Sequence, residues 1–553
     1  MKTNGKQTQA LKIHTGDNVG VALVNLNKGD VVRDPGMFLT LTEDIPAKHK
    51  FSLEDLKEDA DIIMYGVVVG KTVRPVAKGS LISTQNVQHA TGSWQLKQRN
   101  TSWLKPDVKP WQHKRFLGFH RAGGSVGTAN YWIVIPLVFC ENKNVDVLQE
   151  SFLKALGYSP NRSPYEAMVE KMVTKYRSGE TTDFEILIED ESELLSPKIF
   201  PNIDGIKILK HTLGCGGTRQ DARTLCGLLA GYITHPNVAG ATVLSLGCQN
   251  AQISLLQEEI AKRDPQFSKP LFLLEQQKIG NEKKLLQQAI TKTFEGLVIA
   301  NDQKRQPAPL SKLCIGLECG GSDGFSGISA NPAIGYTSDL LVALGGSVIL
   351  SEFPELCGVE QELSDRCVDE QTANRFLGLM NIYQQRANEA GSGFYANPSP
   401  GNIKDGLITD AMKSAGAAKK GGTSPVADVL DYPEKVTKSG LNLLCTPGSD
   451  IESTTAEVGA GANIVLFTTG LGTPTGNPIA PVIKIASNTA LYNKMQDITD
   501  INTGTIIEGT ESIREAGERI LDYVIKVASG EEKAKATQLL HDDFIPWKRG
   551  ISL

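Results

Sequence analysis

Short apolar runs along this chain break off abruptly into glycine, cysteine and small polar residues. Between residue 10 and about 85 the runs NVGVALVNL, MFLTLT and DIIMYGVVVG are separated by the turn signals KGD, DPG and AKGS, which predicts a small β-rich domain over 1–90. Residues 91–114 are polar, carry two prolines and hold no sustained period, so they read as a linker anchored by Trp94, Trp103 and Trp111. From Phe116 the pattern changes. Strand-like runs such as YWIVIPLVF, IKILK, ATVLSL, PLFLLE, LCIGL, GSVILSE, NLLCTP and NIVLFTTG alternate with stretches whose apolar residues recur every three or four positions. That alternation predicts a large α/β region with mainly parallel sheets, divided near 303–311 into subdomains 115–308 and 309–553.

The predicted helices are DARTLCGLLAGYI, AQISLLQEEIAKRD, EKKLLQQAITKTFEGLVIA, DRCVDEQTANRFLGLMNIYQQRANEA and ESIREAGERILDYVIKVA. Asp221 is expected to cap the first of them, with 214–220 facing its N-terminus as a place for a carboxylate. The polar interval 397–422 is too long for a plain connection and reads as a functional loop.

Three of the apolar runs empty into loops that carry chemistry: His211 to Arg219 (HTLGCGGTR), Leu246 to Asn250 (LGCQN) and Glu318 to Asp323 (ECGGSD). Glycines there let the backbone approach a ligand, while acids, thiols and hydroxyls stand at strand ends. Glu352, Glu355, Asp450 and Glu452 add carboxylates in similar loops, and carboxylate, imidazole and thiolate together suit a divalent transition metal. His49 and His211 are the histidines beside such loops. No HExxH or Walker A sequence occurs, and neither a GxSxG nucleophile elbow nor a dinucleotide fingerprint in a βαβ unit is evident, which removes the usual support for hydrolase, NTPase and dehydrogenase readings.

Composition narrows the class further. With 553 residues the chain exceeds one core, and a formal net charge of −5 gives no overall bias toward nucleic acid or an anionic membrane. The N-terminal residues lack the apolar core of a signal peptide and no run approaches a membrane span, so a cytoplasmic location is expected. Nine cysteines without a CxxC pair do not read as a disulfide framework.

The same segments resemble the altronate/galactarate dehydratase family. IHTGDNVGVAL, His49 to Phe51, IIMYGVVVG and VAKGS resemble its SAF-type N-terminal domain. FHRAGGSVGTANYW, HTLGCGG, HPNVAGATVLSLGCQN, GLECGGSDGFSGISANPAIG, SEFPELCGVEQEL, NPSPGN, TPGSDIEST and TTGLGTPTGNP follow its main region in order. SEFPELCGVEQ and the terminal FIPWKRGISL look more like the altronate than the galactarate members. The resemblance implies a hydro-lyase that takes water from a sugar acid, D-altronate to 2-dehydro-3-deoxy-D-gluconate, with Fe²⁺ or Mn²⁺, in hexuronate breakdown. Galactarate or another aldonate or aldarate is the alternative substrate, and a non-catalytic sugar-acid sensor the alternative class. Ala129, Gly123, Gln249 and Leu471 depart from the family's pattern, mostly by loss of charge.

On this reading His49, His211 and Lys50 are the catalytic candidates. Arg121, Asn130, Arg219, Glu318, Ser322, Asp323 and Lys484 are the substrate-binding ones, with the cationic members taking the substrate carboxylate. Cys215, Cys248 and Cys319 are the metal thiols. An iron–sulfur cluster on those three thiols is the alternative to a mononuclear ion, and a homodimer is the default assembly.

Overall fold

The computed structural model describes residues 2–3, 6–34, 36–95, 99–159, 163–186 and 197–552. Its N-terminal part is strand-rich, as expected. Ala10–Leu11, Val19–Ala22, Lys50–Ser52 and Leu81–Ile82 form one antiparallel sheet, and Asp61–Met64, Val67–Thr72 and Val87–Gln88 form a second. Four turns in this part share one plan. Leu26, Ile45, Leu56 and Val76 each sit in an isolated antiparallel bridge, and three residues later the chain turns through positive φ at Gly29, Lys48, Asp59 and Gly79. Glycine suits that conformation without cost; Lys48, at φ 75°, does not.

The Lys48 turn is the one that enters the rest of the molecule. Its carbonyl oxygen would lie 2.3 Å from a Cβ at Gly324 and 2.4 Å from a Cβ at Gly406, so both positions must lack side chains for the backbones to meet. Around this contact, Val19, Ile62, Val69 and Val87 share one continuous hydrophobic core with Phe325, Ile328, Ala411 and Met412. The β domain is therefore packed onto the C-terminal region rather than tethered beside it. Of the three linker tryptophans, Trp111 is buried and donates to Asp522 at 2.8 Å, and Trp103 donates to Thr423 at 3.2 Å; Trp94 is exposed. Residues 96–98 of the linker lie outside the described residues.

The α/β region holds two parallel sheets. Four strands run in the order Gly205–Ile208, Tyr131–Pro136, Val238–Ser245, Leu271–Glu275. Seven run in the order Val426–Leu430, Gly440–Leu444, Ser347–Leu350, Cys314–Cys319, Ile464–Thr469, Val482–Ala486, Ile501–Asn502. Nearly every strand residue of the larger sheet is buried, which is why these runs carry no alternation. The helix Arg219–Thr234 crosses Asp450–Ala460 so closely that a Cβ at Gly231 would lie 2.2 Å from the Gly459 carbonyl, and the two sheets share a second core there. Among the described residues no helix is long and apolar enough to cross a membrane.

Several elements differ from expectation. The first predicted helix is capped by Thr218, whose hydroxyl accepts from the Asp221 amide; Asp221 is the reciprocal partner of a capping box, not the cap. The interval 397–422 is not a loop: it forms the helical segments Pro400–Lys404, Asp410–Ala417 and Ala418–Gly421. The long helix predicted from Asp365 divides, because Asp369 caps a new start at Glu370. Gln306–Pro309, in the expected break, is a strand paired with Arg115–His120.

Gly324→Ala should unseat the Lys48 turn, since the Cβ meets backbone that cannot rotate away. We expect a loss of about 1–3 kcal/mol in chemical denaturation. Wild-type stability would contradict the docking described.

Candidate active site at the carboxyl ends of the parallel strands

In the seven-stranded sheet the chain leaves Cys314–Cys319 toward one edge and returns to build the other edge from Ile464–Thr469 onward. The crevice between the carboxyl ends of these two strands is the switch point where open parallel sheets bind ligands. Here it is filled with buried charge.

Cys319 Sγ lies 3.4 Å from Glu352 Oε2 and 3.2 Å from Glu355 Oε2. Lys420 pairs with Glu352 at 2.8 Å and Lys413 with Glu355 at 2.5 Å; both carboxylates and Lys420 are essentially sealed from solvent. Glu457 reaches in from the neighbouring helix, accepting from the Leu317 amide at 3.0 Å and the Ser351 hydroxyl at 2.8 Å. Glu318, Glu352, Glu355 and Glu457 thus face two lysines. Burial pushes Glu318 well above the usual carboxylate range, with Glu352 adding to it, and burial lifts Glu457 to about 8. The Cys319 thiol is raised by burial and by the two glutamates beside it. Burial raises the Glu355 carboxyl too, but Lys413 and Lys420 together more than reverse it, so the Glu355–Lys413 pair is ionic. At the rim, burial lifts Asp450 to about 6 and lowers Lys484, whose ammonium lies 3.3 Å above the Phe467 ring, to about 7. Glu352 holds left-handed backbone, φ 62° and ψ 60°, the kind of local strain that accumulates at functional sites.

This cluster fits a divalent cation. Cys319, Glu352 and Glu355 offer ligand atoms within 4.8 Å of one another. Glu352 Oε1 and Glu457 Oε2 are buried with no hydrogen-bond partner among the described residues. A cation would also displace the protons that burial and the neighbouring carboxylates keep on Glu318, Glu457 and Cys319.

The β domain closes the other side. Lys48 pairs with Asp405 at 2.8 Å and Asp323 at 3.1 Å; burial lowers its pKa, but the two aspartates outweigh that and leave it raised. Lys50 is fully buried and donates to the carbonyls of Gly406 at 2.6 Å and Lys48 at 3.1 Å, with burial lowering it to about 7. The half-buried His49 between them contacts the Ala47 carbonyl through Nδ1 at 3.2 Å. That contact assigns the Nδ1 proton and leaves the Nε2 lone pair as a base, and burial lowers the imidazole pKa. Asp323 stands four residues after Cys319, so the two halves of the site lie within about 14 Å along the chain.

The structure distributes the expected residues unevenly. Glu318, Cys319, Ser322, Asp323, Lys484, His49 and Lys50 gather at the larger sheet. Asp323 is a buried hub that receives Ser326, Ser487, Asn488 and Lys48, whereas Ser322 Oγ is buried with no hydrogen-bond partner among the described residues. Arg121 and Asn130 depart from the expected substrate role. They bond each other at 2.9 Å, Arg121 also holds Gln303 and the Pro236 carbonyl, and Asn130 holds Asp204 and Asn202. Both are buried and committed to joining segments of the fold.

The smaller sheet gathers the others. His211, Cys215 and Cys248 follow its strands, and Arg219 is exposed at the start of the adjoining helix. His211 is buried, which lowers it to about 4, and its Nδ1 accepts from the Leu213 amide. Cys215 and Cys248 are not with Cys319 but with Cys140, which sequence reasoning did not single out. The Phe139 amide bonds the Leu213 carbonyl, the Ala251 amide bonds Gly214, and Asn250 bonds Cys215, so three strand-end loops are tied together. Burial, then Cys215, then Cys248 raise the Cys140 thiol. Gln249 is occupied within its own turn, by Gly247, Ser245 and Ala251. The C-terminal tail links the two sheets: Asp542 pairs with Lys207, Asp543 receives the Gly476 amide, Arg549 pairs with Asp431, and Gly550 donates to Asp221.

Lys413, Lys420 and Glu457 were also missed. The lysines lie in the polar interval that looked too long for a connection, and that was their only signal.

Because the folded-state pKa of Glu457 is raised, its contribution to stability is complete below about pH 4.5 and is lost as pH rises through about 8. In chelator-treated protein Glu457→Gln should flatten the fall in stability between pH 5 and 7, by up to about 1.4 kcal/mol per pH unit. A pH dependence untouched by the substitution would show that Glu457 is not held protonated.

Residues 8–90 match the family model of the altronate/galactarate dehydratase SAF domain, 118–301 that of the D-galactarate dehydratase/altronate hydrolase second domain, and 310–552 that of the D-galactarate/altronate dehydratase C-terminal region. An altronate dehydratase of Bacillus subtilis (strain 168) is 34% identical over 94% of this chain and 95% of its own length. One from Escherichia coli (strain K12) is 34% identical over 99% and 100%. The galactarate dehydratase (L-threo-forming) of Escherichia coli (strain K12) is 32% identical over 96% and 94%.

Proposed function

The chain belongs to the D-galactarate/altronate dehydratase family, and we propose that it removes water from a sugar acid, D-altronate, to give 2-dehydro-3-deoxy-D-gluconate. The observation that carries this reading is the likeness to altronate dehydratases from end to end, at 34% identity. The reaction class is a carbon–oxygen hydro-lyase that requires Fe²⁺ or Mn²⁺ and no organic cofactor.

Elimination begins with the proton on C2, next to the carboxylate. Its removal creates a dianionic enediolate, which is inaccessible unless nearby positive charge neutralises it. Cys319, Glu352 and Glu355 would hold the ion, which would supply Lewis acidity when bound. His49 Nε2 takes the C2 proton. The C3 hydroxyl leaves with a proton as water, and the resulting enol becomes the 2-oxo acid when C3 is protonated. Asp450, at about 6, and Lys484, at about 7, both change protonation near neutral pH and suit the acid steps. Lys48 and Lys50 position His49: one is ion-paired, the other bonded to carbonyls, and neither is free to exchange protons with a substrate.

One observation favours a second form of the cofactor. Cys140, Cys215 and Cys248 lie on three loops tied together at adjacent strand ends, and three thiols of partial exposure suit an iron–sulfur cluster with one iron left open. Anaerobically purified protein with broad visible absorbance that is lost in Cys140→Ser would select it over a mononuclear ion.

The test is 2-oxo acid formation from a panel of aldonates and aldarates with Fe²⁺, Mn²⁺ or chelator. Chelator-sensitive turnover of altronate is expected. Turnover of another acid would move the substrate, and silence on all would favour a sensor. His49→Ala should lower kcat at least about 100-fold with an unchanged fold; activity within about threefold of wild type would remove the role.

A further inference from the structure

A second group of metal-ligating side chains lies outside this machinery, where the β domain meets the C-terminal region. His89 directly follows the last strand of the β domain, Val87–Gln88. Cys357 ends the short helical turn that carries Glu355, and Asp410 opens the helix Asp410–Ala417. One imidazole nitrogen, one thiol sulfur and one carboxylate oxygen lie within 4.8 Å of one another. Tetrahedral coordination at about 2.0–2.3 Å sets ligand atoms slightly closer than this, so the three need only draw in.

Polar groups here are poorly partnered among the described residues. Among the described residues, Nδ1 of His89 and the carboxylate oxygens of Asp410, which is 0% exposed, are buried with no hydrogen-bond partner beyond the Cys357 thiol that faces Asp410. Such groups are rare in folded proteins and costly when left alone. A fully buried acid with only a thiol beside it, next to a buried imidazole nitrogen, marks a place built for something else. The surroundings reject an organic ligand: Gly358, at positive φ, packs against Thr91 and Ala411, and Thr409 bonds the Val69 carbonyl at 2.5 Å. What fits is a single ion.

We propose that His89, Cys357 and Asp410 bind one divalent transition cation of the zinc class, which clasps the β domain to the C-terminal region. Nitrogen, thiolate and carboxylate ligands select borderline cations over magnesium or calcium. The ion would hold the domain whose Lys48 turn carries His49. It stands apart from the ion assigned to Cys319, and binding it requires no turnover, so failure of the dehydratase reading leaves this proposal intact.

The test strips the full-length protein with chelator and titrates it with Co²⁺. Cys357→Ala should bind one equivalent less than wild type and lose the corresponding thiolate-to-cobalt absorbance, while Cys319→Ala keeps that part of the signal. His89→Ala, half-buried and tolerant of truncation, should lose the same equivalent with an unchanged circular dichroism spectrum. Zn²⁺ should slow proteolysis within 91–114 several-fold in wild type and not in His89→Ala. Equal stoichiometry and absorbance in wild type and Cys357→Ala would overturn the site. Loss in Cys357→Ala with retention in His89→Ala would overturn the clasp.

Discussion

The structure is organised by charge that has been taken out of water. Four glutamates, Lys420 and a thiol lie sealed at the carboxyl end of Cys314–Cys319, with the largely buried Lys413 beside them. Bare charges in such a place cost several kcal/mol each, so the cluster exists only because Lys413 and Lys420 meet Glu355 and Glu352 and because the remaining acids keep their protons. The lysines come from the helical segments of 397–422, Glu457 from the helix that binds the smaller sheet, and Ser351 and Thr446 from the flanking strand ends. Each surrounding element therefore has a polar reason to be where it is, and the helices and both hydrophobic cores close around that arrangement.

The β domain extends the same logic. Among its four equivalent turns, the one that enters the larger region has lysine at the left-handed position, where two of the others have glycine. The strain is of order 1–2 kcal/mol. It is offset by the Lys48 pairs with Asp323 and Asp405 and by two backbone carbonyls that satisfy Lys50. A fold element repeated for structural purposes has been altered at one copy, and that copy presents the histidine.

Much of this was legible in the chain. The strand runs of the parallel sheets announce themselves because both faces are buried, and the Gly/Cys loops after them mark strand ends correctly. What escaped follows from physics that local pattern does not carry. The helix Ala330–Ala343 has no polar face, since most of its residues are buried, so no helical period distinguished it from the small-residue loop before it. Cys319 could not be separated from Cys215 and Cys248 by sequence, because all three follow similar apolar runs; only the sheets to which those runs belong divide them. Arg121 and Asn130 looked like ligand residues and prove to be each other's partners. Lys413, Lys420 and Glu457 gain meaning only from long-range contact with Glu355, Glu352 and Leu317.

The central claim is that an imidazole delivered by the β domain takes a proton from carbon at the carboxyl end of the larger sheet. The most direct measurement is proton NMR of altronate in D₂O with metal-loaded protein. The account predicts loss of the C2 proton and a 3-deoxy product carrying one deuterium at C3 with wild type, and neither with His49→Ala. The same rate of C2 proton loss in both proteins would contradict it.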